Sequence, residues 1–293
     1  MSEPVQVTRS VLRDWPLPPP GSSKDARGAI LAVGGSDSVP GAMVLAGEAS
    51  LRAGGGKLQV ATTEGVARHM AVLVPEALVH RAPALPSGNI APDAAEEIVS
   101  LAESAAAVLL GPGITRPEDA VALLGRVVPH LGGRAVVVDA LGSAYVTENI
   151  DGLEHLDPPA VLTVNPSELA LVLGADQDQV DEDPLRAARD LARRAGAVVL
   201  CGGEGKHVAA PDGRAWLVTA GCPGLGISGS GDVQAGLVAG LLARGASPVQ
   251  AAVWGAWLHG RSGEVLAESV GPVGFLAREL PAVVPGLLVE PSR

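Results

Sequence analysis

From position 29 onward, short apolar runs alternate with segments whose apolar residues recur at helical spacing. Residues 29–33, 106–110, 135–138 and 197–200 are continuous apolar runs of strand length, and 161–164 is apolar but for Thr163, the mark of strands covered on both faces. Residues 57–62 alternate like a half-covered strand. Residues 41–53 carry Ala42, Leu45, Ala46 and Ala49 on one helical face and stop at Gly54-Gly55-Gly56. Residues 117–128, 184–194, 232–243 and 248–268 also read as helices. Residues 206–210 and 214–218, joined by Pro211-Asp212-Gly213, read as an antiparallel hairpin. Repeated strand–helix alternation predicts an α/β protein with a mostly parallel sheet and helices on both faces. No composition break or long linker interrupts it, so residues 27–293 are expected to form a single domain. Residues 1–26, polar and rich in proline, read as an extended arm leading into it.

Composition narrows the function. Of 293 residues, 47% are hydrophobic and 18% charged, the balance of a globular chain with a large core. A net charge of −11 argues against nucleic acid or an anionic membrane as the main partner, since both call for a basic face. Aromatic residues are scarce, which argues against single-strand recognition by base stacking. The two cysteines, Cys201 and Cys222, form neither a disulfide framework nor a zinc-ligand spacing. No apolar run approaches the ~18 residues of a membrane helix, and the N-terminus lacks a signal-peptide pattern. The expectation is a soluble, cytoplasmic protein.

In open parallel sheets, ligands bind outside the carboxyl ends of the strands. Those ends carry Gly34-Gly35-Ser36, Gly111-Pro112-Gly113, Asp139, Asn165 to Glu168, and Cys201-Gly202-Gly203. Glycine there admits a ligand close to the backbone, although it also serves plain turning. Two familiar phosphate motifs fail. Gly224-Leu225-Gly226-Ile227-Ser228-Gly229 has the dinucleotide-binding spacing, but no strand precedes it and no acidic residue lies between Asp232 and Glu264. A P-loop ending at Gly205-Lys206 would need glycine where Leu200 stands and Ser or Thr where His207 stands.

The segment that carries chemistry is Gly229-Ser230-Gly231-Asp232, which opens a long apolar helix. Free N–H groups at a helix start attract an anion, and the glycines leave room for a phosphate. Asp232, in the first turn, could take the proton of a hydroxyl attacking a phosphoryl group. Capping of the helix by Ser230 or Asp232 is the plainer alternative. Asn165-Pro166-Ser167-Glu168 also opens a helix. Its Asn and Glu could help hold hydrated Mg²⁺, or simply cap. His259 lies in an Ala/Trp-rich helix and reads as core. Cys201 and Cys222 read as small fillers.

Taken together the segments resemble the ADP-dependent NAD(P)H-hydrate dehydratases. The likeness rests on Gly34-Gly35-Ser36 with Gly41-Ala42, on Ala49-x-Leu51-Arg52-x-Gly54 and on Val60-Ala61-Thr62. It continues in order through Pro75-Glu76, Gly111-Pro112-Gly113, Pro211-Asp212-Gly213, Gly229-Ser230-Gly231-Asp232-Val233 and His259-Gly260, from about residue 24 to about residue 268. The resemblance implies a ribokinase-like three-layer fold. It also implies a two-step reaction, in which ADP phosphorylates the ring hydroxyl of the hydrate and phosphate then leaves to restore the double bond. By the same resemblance Ala42, Gly113, Asn165 and Asp232 would contact the hydrate, with Asp232 as base. Cys201, Gly202, Gly203, Glu204, Gly205, Gly229, Ser230 and Gly231 would contact the nucleotide. Mg²⁺ would be required, with Glu168 reaching it through water, and the assembly would be a homotetramer. The chain departs from the family pattern in having Asn165 where His is frequent, Cys201 where Lys is usual, and a single Asp in Asp139-Ala140-Leu141. Two other functions fit the residues: a ribokinase-like kinase for a sugar or vitamin hydroxyl, favoured by Asn165-x-x-Glu168, and a nucleotide-binding protein without turnover.

Overall fold

The continuous apolar runs form strands of one large sheet in the computed structural model, which describes residues 3–292. The first half of the chain contains β1 (Val5–Gln6), α1 (Arg9–Asp14), β2 (Ala29–Val33), α2 (Gly41–Arg52), β3 (Lys57–Thr63), α3 (Glu64–Leu73), β4 (Ala77–Ala82), α4 (Ala95–Ala102), β5 (Ala107–Leu110), α5 (Pro117–Val127), β6 (Ala135–Asp139) and α6 (Ser143–Glu148). The second contains β7 (Val161–Val164), α7 (Pro166–Leu173), α8 (Gln177–Glu182), α9 (Pro184–Ala195), β8 (Val198–Cys201), β9 (Lys206–Ala209), β10 (Ala215–Val218), α10 (Ser230–Ala243), α11 (Pro248–Ser269) and α12 (Leu280–Leu287).

The sheet has ten strands in the order β1-β10-β9-β8-β7-β6-β5-β2-β3-β4. Pairing is parallel from β8 through β4. It turns antiparallel at β8–β9 and at the β9–β10 hairpin, where the Pro211-Asp212-Gly213 turn placed it. The expected mostly parallel α/β sheet is what forms. Because strand side chains alternate in direction, the apolar runs feed two cores. Ile30, Ala32, Leu109, Val137 and Leu200 pack with α2, α10, α11 and α12 on one face. Leu31, Val33, Leu110, Val138 and Cys201 pack with α4, α5, α7 and α9 on the other. The result is three layers, helix on sheet on helix.

Two helices are locked at unusually short range. A Cβ added at Gly236 would stand 2.2 Å from the Ala46 carbonyl oxygen, and one at Gly240 would stand 2.1 Å from that of Ser50. Glycine at these positions lets α10 lie against the backbone of α2. The start of α10 is thereby brought beside the start of α2, where Ala42 sits.

The N-terminal arm differs from the expectation. It is not simply extended: β1 adds a parallel strand beside β10, and α1 buries Leu12 completely. Trp15 stacks on Trp216 with ring centroids 6.1 Å apart, and its carbonyl accepts the Trp254 indole N–H at 3.0 Å. Gln250 and Arg244 donate to the carbonyls of Pro16 and Pro18, each at 2.9 Å. Proline cannot supply N–H groups to a sheet, but its carbonyls remain acceptors, and the body of the protein supplies the donors.

Candidate functional site

Every parallel strand points its carboxyl end toward the same edge of the sheet, and that edge opens into a cleft of about 880 Å³. β6 contributes Asp139 and the Ala140 that follows it, and β7 contributes Thr163 and Val164. The start of α7 adds Asn165 and Glu168, and the loop after β8 adds Gly202, Gly203 and Glu204. The head of α10 supplies Gly229, Ser230, Gly231 and Asp232. Residues 221–223 and 225–227 also line the cleft.

The head of α10 has the features of an anion site. Gly229 adopts φ +89°, a conformation that admits glycine readily, and a Cβ there would collide with Leu45 Cδ1 at 2.4 Å. This contact ties the helix start to α2. A Cβ at Gly231 would meet nothing within 4 Å, so the backbone stands bare toward the cleft. Ser230 is buried, and its Oγ lies 2.8 Å from His259 Nε2. Burial, with the charge of Lys206 adding to it, pushes the His259 pKa down to about 3, so the imidazole is neutral.

Three carboxyl groups share the floor. Burial and then the charge of Glu168 raise the Asp232 pKa to about 6. Asp139 is held well above the ordinary carboxylate range, first by burial and then by the charge of Asp232, although Thr163 Oγ1 donates to it at 2.6 Å. Burial also raises Glu168. A half-buried carboxylate that exchanges its proton near neutrality suits proton transfer.

Asn165 and Glu168 form a reciprocal capping box. Asn165 Oδ1 accepts the Glu168 N–H, and Glu168 Oε2 accepts the Asn165 N–H, each at 2.9 Å. The capping alternative therefore holds, and both side chains also line the cleft. Among the described residues no group of three His, Cys, Asp or Glu side chains gathers to hold a metal ion.

Not every expected residue reaches the cleft. Cys201 is fully buried: as the last residue of β8 it turns into the helix-covered core, its Sγ lies 3.4 Å from the Gly202 oxygen, and burial pushes its thiol up to about 12. Strand alternation excludes that side chain as a nucleotide contact. Gly205 also lies outside the lining residues. Ala42 and Gly113 meet each other instead, at the ends of β2 and β5: a Cβ on Gly113 would stand 3.0 Å from that of Ala42. The loops they belong to are tied by the Gly35 N–H, which donates to the Pro112 carbonyl at 2.7 Å. Here the strand order reverses direction, the usual position for a ligand crevice in such sheets.

Lys206 and Gln234 line the cleft and were not anticipated. His259 does so as well, while also being buried as expected. For Lys206 the available signal was a lone lysine directly after a Gly-Gly-x-Gly turn.

A family model described as NAD(P)H-hydrate dehydratase matches residues 30–285. The chain belongs to this family. It is 43% identical over 283 residues to the ADP-dependent (S)-NAD(P)H-hydrate dehydratase of Xanthomonas campestris, covering 96% of this chain and 95% of that protein. It spans about half the length of the bifunctional NAD(P)H-hydrate repair enzymes that it also matches. Among solved structures it resembles the ADP/ATP-dependent NAD(P)H-hydrate dehydratase of Bacillus subtilis co-crystallised with ATP and Mg²⁺, with a TM-score of 0.79, 26% identity and 98% of each chain covered. A ribokinase-like superfamily protein of Enterococcus faecalis aligns with a TM-score of 0.82 at 21% identity, covering 98% of this chain and 96% of that one, which shows the ribokinase-like fold.

Proposed function

We propose that this enzyme is an ADP-dependent NAD(P)H-hydrate dehydratase, which returns hydrated nicotinamide nucleotides to NAD(P)H. The observation that carries the reading is Asp232, a half-buried carboxylate beside the bare backbone of Gly231, in a chain 43% identical to a dehydratase over nearly its whole length.

The free N–H groups at the head of α10 bind and orient the nucleotide's terminal phosphoryl group. Asp232 accepts the proton of the ring hydroxyl as its oxygen attacks that phosphoryl group, and AMP departs. The phosphate ester then breaks its C–O bond, phosphate leaves, and loss of a ring proton restores the double bond. Gly202, Gly203 and Glu204 flank the nucleotide. Ala42 and Gly113 approach the hydrate from the switch-point side, and Asn165 meets it from the floor. Mg²⁺ would fit as a hydrated ion shared with the nucleotide's phosphates, because among the described residues no three carboxylates gather into a cage for it. When bound, it neutralises phosphate charge. Glu168, already engaged through one oxygen in its capping box, would reach it through water.

The test is to incubate the purified protein with NADH hydrate, ADP and Mg²⁺ and to follow the return of NADH absorbance. No return with ADP or with ATP overturns the reading. A stable phosphorylated product from a panel of sugars and vitamins would favour a kinase instead. The same reading makes the enzyme a cytoplasmic homotetramer acting on small molecules, not on nucleic acid or membranes. Light scattering at the monomer mass would contradict the assembly. Among the described residues no helix is long and apolar enough to cross a membrane.

A further inference from the structure

Lys206 opens β9 with only 3% of its surface exposed, and it lines the cleft. An ammonium group has three N–H donors. One is met by the Ala220 carbonyl at 3.2 Å. Among the described residues no carboxylate oxygen lies within ion-pairing distance of its Nζ. Glu264, the carboxylate whose charge it feels, is occupied elsewhere: Oε1 accepts the Gly221 N–H and Oε2 pairs with Arg261, each at 2.9 Å. A buried cation left without a direct ion-pair partner is costly, and such a group is ordinarily paired or poised for a ligand.

The surroundings point to the ligand's sign. Among the described residues Lys206 is the sole Lys or Arg lining the cleft, whose acidic members are Asp139, Glu168, Glu204 and Asp232. A nucleotide's phosphates entering this acidic space need a cation, and one ammonium lies on the wall. Gly221, at φ +152°, leaves the space beside it clear: a Cβ there would stand 3.3 Å from Lys206 Nζ. Burial lowers the Lys206 pKa to about 8, so at pH 7 the ammonium form still predominates.

We propose that Lys206 is the nucleotide-phosphate cation of this enzyme, its ammonium group pairing with the phosphate chain of ADP that the α10 amides hold from the other side. This rests on the reading of the cleft as the ADP site. Lys206 thus acts as a binding residue that discriminates phosphorylated from unphosphorylated nucleosides.

Calorimetry with ADP and with adenosine tests it on the wild type and on Lys206→Met. The variant should bind ADP about 10- to 100-fold more weakly, as expected for loss of a charge-assisted bond, and bind adenosine as the wild type does. Undiminished ADP affinity, or equal losses for ADP and adenosine, overturns the proposal. A second measurement needs no variant. The chain has three lysines, Lys24, Lys57 and Lys206. In protein labelled with ¹⁵N-lysine, ADP should shift the Lys206 Nζ resonance and adenosine should leave it in place. An unmoved resonance at saturating ADP refutes the assignment even where the variant fails to fold. The two hypotheses fail separately. A wild type that binds ADP through Lys206 yet never repairs NADH hydrate overturns the function and leaves the inference standing.

Discussion

Ser230 Oγ and His259 Nε2 stand 2.8 Å apart, joining the first residue of α10 to the middle of α11 behind the anion site. His259 Nδ1 is buried with no partner among the described residues. An unmet lone pair is tolerated better than an unmet N–H, so the tautomer with the proton on Nε2 is favoured. The imidazole then donates to Ser230, and the serine proton is free to face a phosphate. The depressed His259 pKa has a consequence for stability. The folded state refuses a proton that the unfolded histidine accepts below about 6.5. Stability contributed at neutral pH is therefore lost as the pH falls from about 6.5 toward about 3. The expected slope is up to about 1.4 kcal/mol per pH unit. Urea titrations at several pH values should show that part of the slope vanishing in His259→Leu.

Asp232→Asn should lower kcat by about 10²- to 10⁴-fold, the range for loss of a general base. ADP affinity should stay nearly unchanged, because the backbone donors survive. Turnover measurements paired with calorimetry check both halves, and a large loss of ADP binding would contradict the role assigned to Asp232.

The raised Asp232 pKa sets the acid limb of activity. A base must be unprotonated to act, so kcat/KM should climb with pH through about 6. For stability the sign is opposite. A carboxyl whose pKa is raised on folding stabilises below its unfolded value near 3.8, and that contribution is lost as pH rises through about 6. A pH–rate profile with no inflection near 6 would rule out Asp232 as the titrating base.

Gly231→Ala separates binding from folding. Beyond its own helix and chain neighbours the added methyl meets none of the described residues within 4 Å, and alanine favours a helix over glycine by about 1 kcal/mol. The melting temperature should hold or rise while ADP affinity drops at least about tenfold, since the methyl fills the space of the anion. Scanning calorimetry and ADP titration together read this out.

Gly236→Ala should do the reverse. Its methyl would press on the Ala46 carbonyl oxygen at 2.2 Å, where rigid backbone must shift. A loss of about 1–3 kcal/mol is expected from overpacking. Denaturant unfolding measures it.

Much of the fold was legible in the chain. Buried parallel strands call for near-continuous apolar runs, and β2, β5, β6 and β7 have them, interrupted only by Thr163 in β7 and by Asp139 at the end of β6, so their positions followed within a residue or so. The exposed edge strand β4, Ala-Leu-Val-His-Arg-Ala, has no such run and gave no comparable signal. Gly229 to Asp232 were legible because helix-start chemistry is local. The place of Lys206 was not. It depends on the direction its side chain takes from the first residue of an antiparallel strand, which the pairing of β9 with β8 and β10 decides.

The sequence by itself determined the order of the buried strands, the parallel sheet and the glycine-lined carboxyl edge, because apolar period and turn chemistry act over a few neighbouring residues. Tertiary structure decided which side chains meet at that edge. It turned Cys201 into the core and Lys206 into the cleft, set His259 behind Ser230, and docked the proline arm on α11. These outcomes rest on strand register and on how closely glycine lets α10 approach α2, contacts between residues far apart along the chain that no local pattern encodes.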